Sequence, residues 1–371
     1  RALLIAEVSV QPPSRGREGR IGRYRLVRRM AAGGMADLFL GQVHGDAGYE
    51  RSVVVKTLRG DLADDEELAR QIVEEARIAS SLEHENIVRT LEVGEEGETR
   101  FLAMEFVFGR TLRQVIDRCA ETGTTMPFPH IVTLILDALS ALEYAHEHAT
   151  RDGIKLNLIH RDVSPSNLMV GFDGVTRLLD FGLAKGTLQL HRTRAGVVKG
   201  NYGYMSPEQV RREDLDGRSD LFSLGIVLWE LLCGRRLFEG THELEVIRAV
   251  VKQSIPFAKR VNPEVPFSLA WSSARALRRR RGLRYPSARA MRQALLKFDD
   301  RDRDDARDQL SDWLRSLFHF ELATRDAALQ RARPEPIYFR MLRDSGFELL
   351  PEVTDPAIPR VPSFAPNDSK P

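Results

Sequence analysis

The chain has 371 residues, with 55 Lys and Arg against 53 Asp and Glu, so its formal net charge is only +2. That balance gives no electrostatic reason to expect nucleic acid or an anionic membrane as a partner. A composition of 42% hydrophobic and 29% charged residues excludes wholesale disorder, and two cysteines exclude a disulfide framework, so a reduced, cytoplasmic setting is the simplest reading.

The length suggests two domains or one two-lobed unit. Residues 1–21, rich in Arg, Gly and Pro, read as a loose leader. Tyr24–Arg29 and Leu38–Val43 read as strands around a glycine turn at Gly33-Gly34, and Arg51–Leu58, with its run of valines, as a third. A helix is predicted from about Asp64 to Leu82, because Ile72, Ala76, Ala79 and Leu82 share one helical face. Short strands follow near Val88–Val93 and Phe101–Phe106.

From Gly109 the texture is helical: Thr111–Glu121, His130–Glu147, Ser219–Cys233, His242–Lys252, Leu269–Arg279 and Ala288–Lys297. Strands first and helices second predict an α+β fold, with a sheet lobe over about 22–107 and a helical lobe over about 108–298. Residues 299–371 read as a C-terminal region outside those lobes. A polar run, Asp299–Asp308, is expected to separate a short helix (Leu310–Phe318), docked on the large lobe, from a tail. The tail holds eight of the 18 prolines from Pro334 on and offers a place for a regulatory partner. No stretch has the apolar length of a membrane span; Ile131–Ala145 and Leu221–Cys233 are too short and carry Asp137, Glu143 and Glu230.

Phosphoryl transfer needs a cover over the phosphates, a cation on them, metal ligands, and a carboxylate beside the attacking hydroxyl. The sequence offers a candidate for each, in one order. Lys56 ends the valine strand, and Glu75, 19 residues on, is placed to pair with it. His160-Arg161-Asp162 is followed five residues later by Asn167, and Asp180-Phe181-Gly182 begins 13 residues after that. A carboxylate is a hard oxygen ligand that suits Mg²⁺. Singly, each has a plain structural reading: Lys56 as a solvated strand end, Gly33-Gly34 as a hairpin turn, His160 as a core histidine. Their joint order and spacing is the stronger signal.

Taken together, these residues resemble the signature set of protein kinases, most of all the bacterial eukaryotic-like (Hanks-type) serine/threonine kinases. The likeness covers about residues 22–298. It implies a two-lobed protein-kinase-like fold, ATP and Mg²⁺ (or Mn²⁺) in the cleft, and transfer of phosphate to Ser and Thr of protein substrates. It implies that Lys56 meets the α/β-phosphates and pairs with Glu75, that Asp162 receives the substrate hydroxyl, and that Asn167 and Asp180 hold the metal. Ala31, Gly33, Gly34 and Leu38 would cover the nucleotide, Val54 would pack on adenine, and Met104 would precede a hinge at Glu105–Val107. Glu208, in Met205-Ser206-Pro207-Glu208, would form a buried ion pair with Arg284. His160 and Asp220 would be architectural, and His84-Glu85-Asn86-Ile87-Val88 resembles the family's H-P-N-I-V. Autophosphorylation is expected at Thr193, less readily at Thr187, with Arg161 pairing the added charge.

The sequence departs from the family pattern at Ala31 and Ala36, where outer glycines are usual, and at Val54, where alanine is usual. Ser164 stands two residues after Asp162 where lysine is usual, and Asn201 where a threonine usually bridges. These departures keep a second reading open: a pseudokinase, an ATP-binding scaffold with little or no transfer. A small-molecule kinase is a third, against which Met205–Glu208 speaks. Arg278–Arg281, without aromatic interleaving, reads as a solvated helix end and not a nucleic-acid patch, and Cys119 and Cys233 as buried, inert thiols.

Overall fold

Alternation along the valine strand sets the first lobe. In the computed structural model, which describes residues 19–32, 36–44, 50–58, 80–97, 99–149, 153, 156–180, 201–299 and 301–323, Glu50–Leu58 is a central strand of a six-stranded sheet. That strand is β4, and the others are β1 (Arg20–Ile21), β2 (Tyr24–Ala32), β3 (Ala36–His44), β5 (Thr90–Glu96) and β6 (Thr99–Glu105), in the order β1-β2-β3-β4-β6-β5, with every pair antiparallel. Val53 and Val55 of β4 point to one face and are fully buried with Ile21, Tyr24, Phe101 and Ala103. Val54 and Lys56 take the opposite face. There their cross-strand partners are Leu40 and Met104 for Val54, and Leu38 and Leu102 for Lys56. The expected leader therefore ends earlier than residue 21, since Arg20 and Ile21 pair with Arg25 and Tyr24.

The second lobe is built on two helices buried almost all round: α2 (Phe128–Glu147) and α4 (Gly217–Cys233). Asp216 caps α4 through the Arg218 amide, and Gly234, at φ 65°, closes it. Around them lie α1 (Leu112–Thr122), α3 (Pro207–Arg211), α5 (Glu243–Lys252), α6 (Ala258–Val261), α7 (Phe267–Ala276), α8 (Ala288–Leu296) and α9 (Arg303–Leu317). A small sheet of β7 (Gly109–Thr111), β8 (Leu168–Gly171) and β9 (Thr176–Leu178) joins the lobes.

Several expectations need correction. At 20 residues α2 is long and apolar enough to cross a membrane, because it extends past the apolar run at both ends; most of it is buried inside this fold. The helix expected over 269–279 spans Phe267–Ala276; of the arginines after it, Arg278 and Arg280 are exposed as expected, while Arg279 and Arg281 are half-buried and donate to the carbonyls of Val250 and Asp214. The polar run does not separate anything, since α9 begins inside it at Arg303. Cys119 and Cys233 are free but only half-buried, and burial pushes each thiol up to about 11. The chain divides into compact units at Leu317 and Phe318, so α9 falls with the first. Gly33, Gly34, Glu75, Thr187, Thr193 and the tail from residue 324 lie outside the described residues.

Candidate active site

The β8–β9 hairpin is the device that assembles the site. Asn167 precedes β8 and Asp180 follows β9 by two residues, and the strands pair Leu168 with Leu178. The Leu179 amide donates to the Asn167 carbonyl at 2.8 Å, so the two residues stand side by side. Asp180 takes a left-handed φ of 42°, unfavourable for a residue with a Cβ. From the upper sheet, the Lys56 Nζ reaches Asp180 Oδ2 at 2.8 Å. Lys56 therefore meets Asp180; the partner expected for it, Glu75, lies outside the described residues.

Asn167 spends its amide nitrogen on Asp162, donating to the main-chain oxygen at 2.8 Å and to the carboxylate Oδ2. That leaves Oδ1 as the amide's oxygen donor. Asp162 is fixed from behind by His160, whose Nδ1 accepts the Asp162 amide at 3.2 Å. Since Nδ1 accepts, Nε2 must carry the proton, and it lies 2.8 Å from the Leu179 carbonyl. Burial holds the imidazole below its ordinary pKa, so it stays neutral and bridges the two loops.

Beneath, Asp220 of α4 accepts the amides of His160 and Arg161 at 2.8 and 2.9 Å and meets His146 Nε2 at 2.8 Å. Burial pulls this carboxyl upward, but the His146 contact and the amides hold it below its ordinary value. Arg161, at φ 65°, carries a buried Nε with no hydrogen-bond partner among the described residues. Ser164 is fully buried, and Asn201 Nδ2 donates to its hydroxyl at 2.9 Å. The two departures from the family pattern thus touch each other.

Glu208 and Arg284 form a fully buried bidentate pair at 2.6 and 2.8 Å, joined by Ser219 at 2.7 Å. In the hinge, the Glu105 amide is taken by the Arg89 carbonyl at 3.0 Å, whereas the Val107 amide has no partner among the described residues. Leu38, Val54 and Met104 line the sheet face above, with Met104 buried, while Ala31 pairs with Leu38 at the exposed end of the hairpin. Sequence reasoning missed His146 and Gln209, whose Nε2 donates to the Arg161 carbonyl at 2.8 Å. The Ser-x-x-Gln spacing of a capping box was the signal for Gln209.

The residues present fit a nucleotide and a divalent cation. An ammonium hangs from the sheet, the Val107 amide, without a partner among the described residues, lines the hinge, and the floor offers two hard oxygens, the Asp180 carboxylate and Asn167 Oδ1. Mg²⁺ at phosphates is commonly held by one or two protein oxygens, the rest being phosphate and water.

A sheet lobe, a helical lobe and one lysine–aspartate–asparagine cluster between them make up the two-lobed protein-kinase architecture. Residues 25–315 match the protein kinase domain family, and the chain belongs to it. It is 36% identical over 277 residues to the tyrosine-protein kinase MasK of Myxococcus xanthus, covering 75% of this chain and 43% of that one. It is 34% identical over 282 residues to the serine/threonine-protein kinase PrkC of Bacillus subtilis, covering 76% and 41%. With the serine/threonine-protein kinase PknB of Mycolicibacterium smegmatis the figures are 32% over 321 residues, 85% and 49%. The chain thus spans less than half the length of these curated relatives. The crystal structure of the Mycobacterium tuberculosis PknI kinase domain superposes with a TM-score of 0.57 at 23% identity, covering 76% of this chain and 98% of that one, which establishes the fold.

Proposed function

We propose that the chain transfers the γ-phosphate of ATP to Ser and Thr hydroxyls of proteins, its own Thr193 among them. The observation that carries this reading is the Lys56–Asp180 contact at 2.8 Å, which brings the upper sheet's cation to the lower hairpin beside Asn167 and Asp162. Asp162 takes up the hydroxyl proton as the substrate oxygen bonds to the γ-phosphorus. The bond to the β,γ-bridging oxygen breaks, and ADP leaves. Lys56 holds the α/β-phosphates, the Val107 amide and the Glu105 carbonyl hold adenine, and Asn167 and Asp180 hold Mg²⁺, which neutralises phosphate charge when bound. The buried Nε of Arg161, without a partner among the described residues, suits a phosphate on Thr193. ATP supply and free thiols favour a cytoplasmic setting.

Serine/threonine preference draws support from PrkC and PknB, named as such, while MasK is named a tyrosine kinase. Radiolabelled γ-phosphate transfer, followed by phosphoamino-acid analysis and site mapping, tests both points, with Asp162→Asn as the control. Label on Ser and Thr that the variant loses is the expected result; label on Tyr alone overturns the preference. A pseudokinase is the second reading, favoured by Ser164, whose buried hydroxyl brings no charge to the transferred phosphate. ATP binding with no label in the unaltered chain would decide for it.

A further inference from the structure

The peptide bond that leads into Asp162 is gripped at both ends. Its N–H goes to His160 Nδ1 at 3.2 Å, and its carbonyl, that of Arg161, accepts from Gln209 Nε2 at 2.8 Å. The Arg161 amide on the other side of the same residue goes to Asp220. Arg161 needs that grip, because its φ of 65° is a conformation an arginine abandons when nothing holds it. Gln209 comes from α3, next to the cap of that helix, and it does two things with one amide group. Its Oε1 accepts the Ser206 amide at 2.8 Å, closing the capping box of α3, while its Nε2 faces the catalytic loop.

We infer that Gln209 is a positioning residue: it sets the orientation of the Asp162 carboxylate by holding the carbonyl of the preceding peptide. This rests on the phosphotransfer reading for its kinetic consequence, though not for its structural one. The amide's division of labour makes the two separable. Glutamate at position 209 can still accept from the Ser206 amide, so the helix cap survives. Its second oxygen, however, faces the Arg161 carbonyl with no proton to offer and repels it.

The test compares Gln209→Glu and Ser206→Ala with the unaltered chain in two measurements. The first is amide hydrogen exchange over residues 160–167 in the nucleotide-free protein. The second is kcat and the KM for ATP. Gln209→Glu is expected to speed exchange at Asp162 and lower kcat by roughly 10- to 100-fold with KM for ATP unchanged, the mark of lost alignment and not lost binding. Exchange and kcat of Gln209→Glu equal to the unaltered chain overturn the inference. So does a Ser206→Ala that reproduces its effects, since the helix cap would then be responsible. If the unaltered chain shows no turnover, the function proposed above fails, and exchange alone decides the role of Gln209. Should Gln209→Glu not fold, Gln209→Met, neutral and of similar volume, takes its place in both measurements.

Discussion

Two arginine–carboxylate centres lie in the interior of the same unit, and they are built on opposite terms. Arg284 has every N–H matched: Nε to the Arg278 carbonyl, Nη1 to Glu208 and the Arg218 carbonyl, and Nη2 to Glu208 and the Arg279 carbonyl. Arg307 of α9 reaches Glu85 at 2.8 and 3.0 Å and Asp137 at 3.0 Å, but its buried Nε has no partner among the described residues. The first centre is closed on itself, with side chains 0% and 2% exposed. The second is shared among a loop before β5, the core helix α2, the β9 amide of Thr176 and two arginines of α9, and its Glu85 is 55% exposed. Burying charge is costly in both cases. A closed pair meets that cost by saturating its own donors. An open one meets it by tying distant elements together, and so depends on all of them being in place.

The largest effect should come from breaking the closed pair. Arg284→Ala strands a buried Glu208 carboxylate and is expected to cost about 3–5 kcal/mol in urea unfolding. Arg307→Ala should cost less, about 1.5–3 kcal/mol, because Asp137 keeps Arg303 at 2.8 Å and the Thr176 amide at 2.9 Å. Equal losses in the two variants would erase the distinction. A geometric test of the open centre uses Gly174, at φ 74°, where an added Cβ would come within 2.0 Å of the Arg307 carbonyl oxygen. Gly174→Ala should therefore lift α9 and cost about 1–3 kcal/mol. The Arg307→Ala and Gly174→Ala losses should not add, because both release the same helix.

The smallest effect is with acid. Glu208 is pulled up by burial but held below its ordinary 4.5 by Arg284 and Ser219, and Arg307 holds Glu85 below it too. Their stabilisation is complete above about pH 4.5 and is lost as pH falls through the lower folded values. His160, His84 and His130 are held below 6.5 by burial, so the unfolded chain takes up protons first. Stability from these histidines is complete above pH 6.5 and drains as pH falls from there, by at most about 1.4 kcal/mol per group per pH unit. A Tm series from pH 7.5 to 4 should decline in two stages, histidines before carboxylates. A flat Tm down to pH 5 would contradict the first stage.

How much of this was readable beforehand follows the same division. Glu208 and Arg284 sit in short stretches with recognisable neighbours, so their pairing was expected across 76 residues. The valine run marked a strand ending at Lys56, but three successive valines do not say which face is buried; the structure puts Val53 and Val55 in the core and Val54 with Lys56 on the other face. Asp137 was different: inside an apolar helix it registered only as a charge that argues against a membrane span. Arg303 and Arg307 were lost in a run of charges that looked solvated, because composition cannot distinguish a charge facing water from one facing another charge. The β8–β9 hairpin was equally hidden, its strands being four and three residues long. Helix ends moved for local reasons, α7 stopping where Arg279 turns back to hold carbonyls of α5.

The ties from Arg303 and Arg307 to Asp137 and Asn86 also bear on where the catalytic unit can be cut. A fragment trimmed at residue 298, where the charge texture changes, would keep every kinase-like motif read from the sequence yet remove both guanidinium groups from the middle of α2. Asp137 would be left with one amide in an apolar interior. The fragment would have to let water into its centre.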